Sequence, residues 1–318
     1  MTTRRSFLSS LGSVLSLPAA FSLSGCGDQP GESAAGAGGG AGVEGGDTAE
    51  AAAGETRTAF AEPLGVQLYS VRNELDEDLE GTLRAVREAG FTQVETYSLH
   101  EMTPVAYRAL LDDVGLDVES MHADYERAVN DTAALAEEAR VLGSPWVVVP
   151  WIPHEAPFSE TDMNRAIGDF SRAGQLFKEE DLRFAYHAHG YEFHEAEDGG
   201  TLFDRFMRET QPGVVDVEMD VFWIRWPGQD PIALIERYPG RFPLLHLKDM
   251  RRGTTGGDLT GQAPLELQVP VGEGLLDTAA IIRAAEANGA ELYFIEYEHT
   301  NALDAIRSSR EYVRSLEF

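Results

Sequence analysis

The sequence almost lacks lysine: Lys178 and Lys248 are the only two among its 25 basic residues. With 54 acidic residues, the formal net charge is −29. Nucleic-acid binding requires a cationic surface, so this charge argues strongly against a nucleic-acid partner. Excess acid with arginine in place of lysine is typical of a surface adapted to high salt, where screening weakens self-repulsion. The alternative is an ordinary acidic protein of the cell envelope.

Cysteine is equally scarce, because Cys26 is the only one in the chain. A single cysteine excludes an intramolecular disulfide. Cys26 ends the segment 23–26, LSGC, which is similar to the lipobox at which bacterial lipoproteins are cleaved and lipidated. We therefore expect lipidation at Cys26. The alternative is a chance run of small residues near an ordinary signal peptide.

The N-terminal region also lacks an apolar run long enough for a membrane-spanning helix, since residues 11–23 are short and interrupted by serines. This stretch follows the segment 3–8, TRRSFL, which is typical of a twin-arginine signal. That route exports folded proteins. We therefore interpret residues 1–26 as a twin-arginine lipoprotein signal, and we expect the protein in the cell envelope, anchored to the membrane only by lipid.

Residues 27–59 contain hardly any large apolar side chain and are rich in Gly, Ala and Glu. Such a segment cannot bury enough area to offset the entropy lost on ordering. We interpret it as a disordered tether between the anchor and a folded domain. The remaining residues, 60–318, have the usual size of one eight-stranded α/β barrel.

From residue 64 onward, short apolar runs alternate with amphipathic stretches whose apolar residues are three and four positions apart. The predicted strands are Leu64–Tyr69, Gln93–Thr96, Asp117–Met121, Trp146–Val149, Arg183–Tyr186, Val214–Met219, Phe242–Leu247 and Leu292–Ile295. The predicted helices include Leu79–Glu88, Thr132–Leu142, Asp162–Glu179 and Thr278–Ala287. Eight such units with short connections predict a single (β/α)8 TIM barrel. No Gly-x-Gly-x-x-Gly segment follows the first strand, which argues against a dinucleotide-binding fold.

Three predicted strands end in side chains that can bind a metal. The segments are 214–220, VVDVEMD, then 246–249, HLKD, and 295–298, IEYE. Active sites of α/β barrels are built at the C-terminal ends of the strands. Packing alone does not explain His, Asp and Glu at three consecutive strand ends. Two long connections, 221–231 and 249–277, follow strands on this face and are expected to shape a pocket.

Six segments occur in the order found in one known family. They are 65–70, GVQLYS; 186–193, YHAHGYEF; 219–223, MDVFW; 246–249, HLKD; 272–274, GEG; and 295–298, IEYE. On these segments the chain resembles the sugar phosphate isomerase/epimerase group of xylose isomerase-like TIM barrels. The resemblance implies one divalent cation at the ends of strands five to eight, held by His187, Asp220, His246 and Glu296. Such oxygen and imidazole ligands suit Mn²⁺, Co²⁺, Mg²⁺ or Zn²⁺.

Two of the implied ligands have a plainer interpretation. Asp220 can cap the following loop, and His246 taken alone can be a hydrogen-bonded core histidine. Glu296 is harder to explain in this way, because an unpaired carboxylate in an apolar strand is costly to bury.

The resemblance implies proton abstraction next to a carbonyl that the cation polarises, with Glu296 as the base. Many epimerases of this family carry a glutamate at the end of strand five, where this chain has His187. Either Glu192, five residues later, turns into the site, or Glu296 is the only carboxylate base. This departure also allows isomerisation, dehydration or eliminative cleavage of a 3-keto-glycoside.

Further candidates fall into two groups. The catalytic group adds His122 and Lys248 to Glu296 and Glu192, with Lys248 stabilising an enediolate oxygen unless it only pairs with Asp249. The substrate-binding candidates are His189, Trp223 and Glu95, and Trp226 can add to the stacking surface. Glu95 can bind a substrate hydroxyl or, alternatively, support a ligand.

We therefore expect a divalent-metal-dependent isomerase or epimerase that acts on a small sugar or polyol without phosphate. The alternatives are a lyase or hydrolase of 3-keto-glycosides at the same metal site and a non-catalytic sugar-binding lipoprotein. A metal-dependent endonuclease is opposed by the net charge of −29. Barrels of this family often pair, so a homodimer is a further expectation.

Overall fold

Residues 60–318 of the computed structural model are described here, and the predicted signal 1–26, its Cys26 and the tether 27–59 lie outside them. Eight parallel strands close into a barrel in chain order, with the eighth strand paired to the first. The strands are Leu64–Gln67, Gln93–Thr96, Asp117–His122, Trp146–Val149, Arg183–His187, Asp216–Asp220, Leu244–Leu247 and Leu292–Ile295. The predicted TIM barrel is confirmed.

The boundaries of five predicted strands shift by one or two residues, and two of these shifts have a clear local reason. The first strand ends at Gln67 because its side chain accepts the backbone N–H of Tyr69 and starts a 3₁₀ turn. The sixth strand begins at Asp216, since the N–H groups of Val214 and Val215 turn back to the carbonyl of Gln211. In both cases a turn uses backbone groups that a longer strand would need.

Helices follow most of the strands. Their bounds are Arg72–Glu77, Leu79–Glu88, Pro104–Val114, Tyr125–Asn130, Thr132–Leu142, Glu160–Glu179, Leu202–Glu209, Val221–Arg225, Pro231–Arg237, Thr278–Ala287 and Ala302–Ser315. Three of the four predicted helices are confirmed at both ends, and the fourth begins two residues earlier, at Glu160, because Ser159 and Asp162 form a capping box. In residues 60–318, none of these helices combines the length and the apolar character needed to cross a bilayer.

The two long connections contain more regular structure than the sequence predicted. The segment 221–231 opens with the short helix Val221–Arg225 instead of a loop, because Asp220 caps it. In the second connection, Asp249–Met250 pairs antiparallel with Gln268–Val269. Both connections therefore start as ordered extensions of the strands that carry Asp220 and His246.

An apolar layer fills the lower half of the barrel interior. It consists of Trp146, Val148, Ala185, Leu244 and Phe294, all nearly inaccessible to solvent. Gly65 is required beside it, since a Cβ there would lie 2.7 Å from the Phe294 ring. Alternate strand residues face the interior. The residues two positions after Gly65, Ala185, Leu244 and Phe294 are therefore the next inward ones, and all four are polar: Gln67, His187, His246 and Glu296.

Candidate metal centre and active site

A cluster of polar side chains lies at the C-terminal ends of the strands, above the apolar layer. Nearly every member is buried. Its members are Gln67, Glu95, Ser120, His122, His187, Glu218, Asp220, His246, Lys248 and Glu296. Burial of so many polar groups is tolerated only if they are paired or bind a cation.

His246 stands at the centre of the cluster. Its Nδ1 lies 2.7 Å from Glu296 Oε2, and its Nε2 lies 2.6 Å from Glu95 Oε2. Burial opposes a charge on the ring, but Glu218 and Glu95 raise the pKa of His246 well above its ordinary value. If His246 binds a cation through Nδ1, the proton between Nδ1 and Glu296 must leave, while the proton on Nε2 stays on the ring and is donated to Glu95.

Glu95 acts as a support for this histidine. It accepts hydrogen bonds from Gln67 Nε2 at 2.7 Å and Ser120 Oγ at 2.6 Å. Although burial opposes ionisation, His122 and His246 lower the pKa of Glu95. Of the two roles predicted for Glu95, the structure therefore favours ligand support over contact with a substrate hydroxyl.

Glu218 is the main residue that the sequence analysis missed. Its Oε2 lies 2.8 Å from His187 Nδ1 and 3.0 Å from His122 Nε2. Burial raises the pKa of a carboxyl group, but the neighbouring histidines lower that of Glu218 to about 2. Glu218 is two residues before Asp220 on the sixth strand, and this spacing places both on the same face. That spacing was the signal that could have identified it.

His187 is oriented by this contact. Burial lowers the pKa of His187 well below its ordinary value, so the ring is neutral. The carboxylate of Glu218 can only accept, so the proton lies on Nδ1 and Nε2 carries a free lone pair. Nε2 faces Asp220 Oδ2 at 3.8 Å, too far for a hydrogen bond but suited to two ligands of one ion.

Asp220 has two functions because its two oxygens face different groups. Oδ1 accepts the backbone N–H groups of Phe222 and Trp223 at 2.8 and 3.0 Å, so the capping role considered from the sequence is real. Oδ2 is buried and has no aligned hydrogen-bond donor within residues 60–318. The cap therefore fixes the carboxylate and leaves one oxygen available for a cation.

The residues fit a divalent ion by their chemistry. Asp220, His246 and Glu296 form one group whose ligand atoms lie within 4.8 Å of one another. A second group shares His246 and contains His122, His187 and Glu218. The implied ligand His187 thus falls in the second group, although its free nitrogen faces the first. Two buried oxygens, Glu218 Oε1 and Asp220 Oδ2, find no aligned donor in the part of the chain that the structure describes.

Lys248 lies beside these ligands and is almost completely buried. Its Nζ is 3.1 Å from Asp220 Oδ2, 3.0 Å from Glu296 Oε2 and 2.7 Å from Glu298 Oε1. The alternative of an ion pair with Asp249 is wrong. Asp249 points the other way, because successive strand residues face opposite sides.

Asp249 organises the long connection that follows it. Its carboxylate accepts four backbone N–H groups at 2.8 to 3.0 Å, those of Met250, Gly272, Gly274 and Leu276. The Gly-Glu-Gly segment is needed here for space, since a Cβ on Gly274 would lie 2.1 Å from Asp249 Oδ1. The HLKD segment therefore combines a candidate metal ligand, a buried cation and a residue that anchors the following connection.

Glu192 lies outside the cluster, which corrects its expected place as a second base. It is bound by the hydroxyl of Tyr186 and by the backbone N–H of His189 at 3.0 Å. Tyr186 precedes His187 on the fifth strand and faces outward, so Glu192 is held behind the barrel wall. Burial raises the pKa of Glu192, which is typical of a structural carboxyl group without a cation.

A cavity of about 570 Å³ opens above the cluster. Predicted residues that line it are His122, His187, His189, Trp223, Lys248 and Glu296. Its size suits a small sugar with room to spare. Among the described residues, the lining includes one lysine and no arginine.

Aromatic side chains form much of the cavity wall. Trp223 is only 7% exposed and lies 5.7 Å from the Lys248 ammonium. Trp151, which the sequence analysis did not select, faces His189 edge-on at 5.4 Å. Burial and the Lys248 charge lower the pKa of His189 to about 3, so this ring is a neutral hydrogen-bonding group. Trp226 instead packs under the long connection and donates to the carbonyl of Gln262 at 3.0 Å.

Comparison with known proteins identifies the family. The family model described as xylose isomerase-like TIM barrel matches residues 64–316, and the chain belongs to this family. A crystal structure of a sugar phosphate isomerase/epimerase from Parabacteroides distasonis ATCC 8503 is 25% identical, with a TM-score of 0.64 over 83% of this chain and 98% of that one. The zinc-bound IolI protein is 13% identical, with a TM-score of 0.62 over 80% of this chain and 98% of that one, which supports the fold alone.

Curated relatives include inosose dehydratases. The one from Geobacillus kaustophilus (strain HTA426) is 24% identical over 216 residues, which cover 61% of this chain and 68% of the relative. The one from Geobacillus thermodenitrificans (strain NG80-2) is 26% identical over 178 residues, or 52% of this chain and 58% of the relative. These relatives, together with the isomerase and epimerase neighbours, make an enzymatic role the expectation for this chain.

Proposed function

We propose that this member of the xylose isomerase-like family is a divalent-metal-dependent enzyme that removes a proton next to the carbonyl of a sugar or polyol, as isomerases and epimerases do. The observation that carries the proposal is the group of Asp220, His246 and Glu296 at three strand ends, with the free nitrogen of His187 3.8 Å from Asp220. These four residues would hold the ion. Bound there, it would polarise the carbonyl and make the adjacent C–H more acidic.

Glu296 is the proposed base. Burial alone would favour its protonated form, but Lys248 and His246 lower the pKa of Glu296, so the carboxylate is ionised at neutral pH, as a base must be. It lines the cavity and is 7% exposed, which gives a substrate access to one side of the group.

Dehydration is the second candidate reaction, because the site also contains a proton donor. Burial opposes a charge on His122, but Glu95 and Glu218 raise its pKa to about 9, so it is an imidazolium at pH 7. It lines the same cavity as Glu296. Base and acid in one cavity suit loss of water, or of the aglycone of a 3-keto-glycoside, after the shared proton abstraction. The inosose dehydratase relatives support this alternative.

A substrate without phosphate fits the lining better than a phosphorylated one. Lys248 is the only Lys or Arg side chain among the described lining residues, and it is already surrounded by Asp220, Glu296 and Glu298. A phosphate group would face these carboxylates without a free cation to bind it. Trp151 and Trp223 instead provide apolar faces of the kind that sugar rings contact.

The test is hydrogen exchange at the carbon next to the carbonyl. Keto-sugars and 3-keto-glycosides are incubated in D₂O with the protein and Mn²⁺, Co²⁺, Mg²⁺ or Zn²⁺, and deuterium uptake is followed by NMR. We expect exchange that a chelator abolishes and that Glu296→Gln removes, while Glu311→Gln on the exposed side of the last helix retains it. If the protein binds sugars but catalyses no exchange, the proposed enzymatic function is wrong and a sugar-binding function is the better interpretation.

We further propose that the barrel is exported by the twin-arginine route and anchored to the cell envelope through a lipid on Cys26. Support comes only from the sequence segments 3–8 and 23–26. Membrane fractionation tests it: Cys26→Ser should release the exported protein from the membrane fraction. Replacement of Arg4 and Arg5 by lysine should instead retain it in the cytoplasm.

A further inference from the structure

Lys248 occupies an unusual position for the one lysine of the barrel interior. Its side chain is 1% exposed and lies within 3.1 Å of three carboxylates, those of Asp220, Glu296 and Glu298. The Trp223 ring, 5.7 Å from Nζ, covers another side of the ammonium. Outside the barrel interior, the chain has only Lys178, on the surface of the helix Glu160–Glu179.

The three contacts of Lys248 are not equivalent. Only Glu298 Oε1 accepts a hydrogen bond from Nζ, at 2.7 Å. Asp220 and Glu296 are at 3.1 and 3.0 Å, but neither pair has hydrogen-bond alignment. The ammonium is thus directed at Glu298 and is merely near the other two carboxylates.

Glu298 is itself fixed by the long connection. Its Oε1 accepts a hydrogen bond from Gln268 Nε2 at 3.2 Å, and its backbone N–H donates to Gln268 Oε1 at 2.9 Å. Gln268 belongs to the short strand that pairs with Asp249–Met250. The position of Glu298 therefore does not depend on Lys248 alone.

The two misaligned carboxylates are also members of the proposed ligand group. The oxygens nearest the ammonium, Asp220 Oδ2 and Glu296 Oε2, belong to the residues that group with His246. Two cations cannot share these oxygens at close range without strong repulsion. A lysine charge at this position must therefore reduce the affinity of the ligand group for a divalent ion.

We propose that Lys248 is an internal counter-cation that competes with the divalent ion for Asp220 and Glu296, and that Glu298 is the positioning residue that holds the ammonium away from them. The inference rests on the proposed metal dependence and deepens it. Lys248 then lowers the affinity for the ion, and Glu298 raises it by acting through Lys248. A lysine that only packs would have neither effect.

Two variants with opposite expected effects test the proposal. The dissociation constant for Mn²⁺ is measured on the full chain by competition with a fluorescent chelator. Lys248→Met should bind Mn²⁺ about tenfold more tightly, because it removes a nearby positive charge. Glu298→Gln should bind it at least about threefold more weakly, because the ammonium then turns to Asp220 and Glu296. Lys178→Met, the same change at the exposed lysine, should bind like the wild type.

The double variant separates action through Lys248 from direct attraction of the ion by Glu298. In the Lys248→Met background, Glu298→Gln should have little further effect on the dissociation constant. If Glu298→Gln weakens Mn²⁺ binding in the Lys248→Met background as much as it does in the wild type, Glu298 acts on the ion directly, and its positioning role is overturned. Unchanged or weaker binding in Lys248→Met would overturn the competition.

Folding of the variants does not decide the outcome. If Lys248→Met fails to fold, Glu298→Gln still tests the proposal, and Mn²⁺ binding as tight as in the wild type would overturn it. A wild-type chain that binds none of the four ions would refute the metal dependence and this inference together. A wild-type chain that binds Mn²⁺ and variants that do not shift its affinity would refute the inference alone.

Discussion

Glu218 accepts a hydrogen bond from His187 across 2.8 Å, and this contact determines which nitrogen of the histidine is available to a cation. Metal-binding histidines are usually held in this way by a carboxylate behind them. Glu95 holds His246 similarly at 2.6 Å. Two carboxylates, Glu218 and Glu95, therefore orient the two histidines that we propose as metal ligands, and the first prediction follows from this relationship.

Glu218→Gln should weaken metal binding by roughly 10- to 100-fold, the usual effect of losing a supporting carboxylate. The glutamine amide still fills the space, but it is uncharged and accepts the hydrogen bonds from His187 and His122 less strongly than the carboxylate does. Chelator competition measures the change. Glu311→Gln, on the exposed surface, is the matched control, and a wild-type affinity in Glu218→Gln would show that His187 does not bind the ion.

Glu192→Gln should change the pH dependence of stability rather than hydrogen exchange into the substrate. Burial raises the pKa of Glu192 above its ordinary 4.5. A raised acid pKa contributes stability that is fully present below the unfolded pKa and is lost as the pH rises through the folded pKa. Relative to the wild type, the free energy of unfolding of Glu192→Gln should therefore increase from pH 4 to pH 7.

Denaturant unfolding at several pH values measures this difference, because any constant cost of the buried amide cancels in the comparison between pH values. Deuterium uptake is the second readout. A difference in unfolding free energy that is the same at all pH values would contradict the raised pKa of Glu192. A loss of deuterium exchange as severe as in Glu296→Gln would show that Glu192 takes part in the reaction.

Asp249→Ala should disorder the connection 249–277, since four backbone N–H groups lose their acceptor. Hydrogen bonds to a charged group contribute about 1.5–3 kcal/mol each, but water replaces part of the loss, so we expect destabilisation of about 2–4 kcal/mol. Amide hydrogen exchange at Gly274 and Leu276 should accelerate. Asp258→Ala, on the exposed part of the same connection, should leave both amides protected.

Trp151→Ala should raise KM several-fold and change kcat little, because Trp151 lines the cavity but is not one of the proposed ligands or the proposed base. Its ring packs against His154 at 5.2 Å and Tyr191 at 4.8 Å, so it presents a fixed face to the substrate. Loss of such a face removes binding that substrate and transition state share. Equal falls in kcat and kcat/KM would instead mean that Trp151 makes a contact that is formed only in the transition state. A thermal denaturation midpoint serves as the folding control.

The fold was predictable because hydrophobic periodicity is a local property of the chain. The helices Leu79–Glu88, Thr132–Leu142 and Thr278–Ala287 begin and end where their patterns do. Gly115 and Gly143 end helices with φ of 81° and 77°, the left-handed conformation that glycine favours after a helix. The predicted end of the first strand was wrong because the Gln67 side chain accepts a backbone hydrogen bond there. Such a contact leaves no periodic pattern of apolar residues in the sequence.

The candidate site was predictable only in part, because strand ends indicate which residues meet but not which atoms face each other. Asp220, His246 and Glu296 come together as the resemblance implied. The supporting Glu218 was missed, although its spacing of two residues from Asp220 puts both side chains on the same face of the sixth strand. The predicted position of Glu192 in the site was wrong because the turn after His187 directs its side chain to the hydroxyl of Tyr186. This contact depends on the path of the folded chain, which the sequence pattern does not indicate.

The apolar layer of Trp146, Val148, Ala185, Leu244 and Phe294 makes the cavity a dead end. In the proposed enzyme, substrate would enter and product would leave through the same open end of the cavity, because the axis of the barrel is plugged below the polar cluster. A product that lingers in this passage blocks the next turnover. For the proposed enzyme we therefore expect competitive inhibition by product, as a consequence of a hydrophobic core that also stabilises the fold.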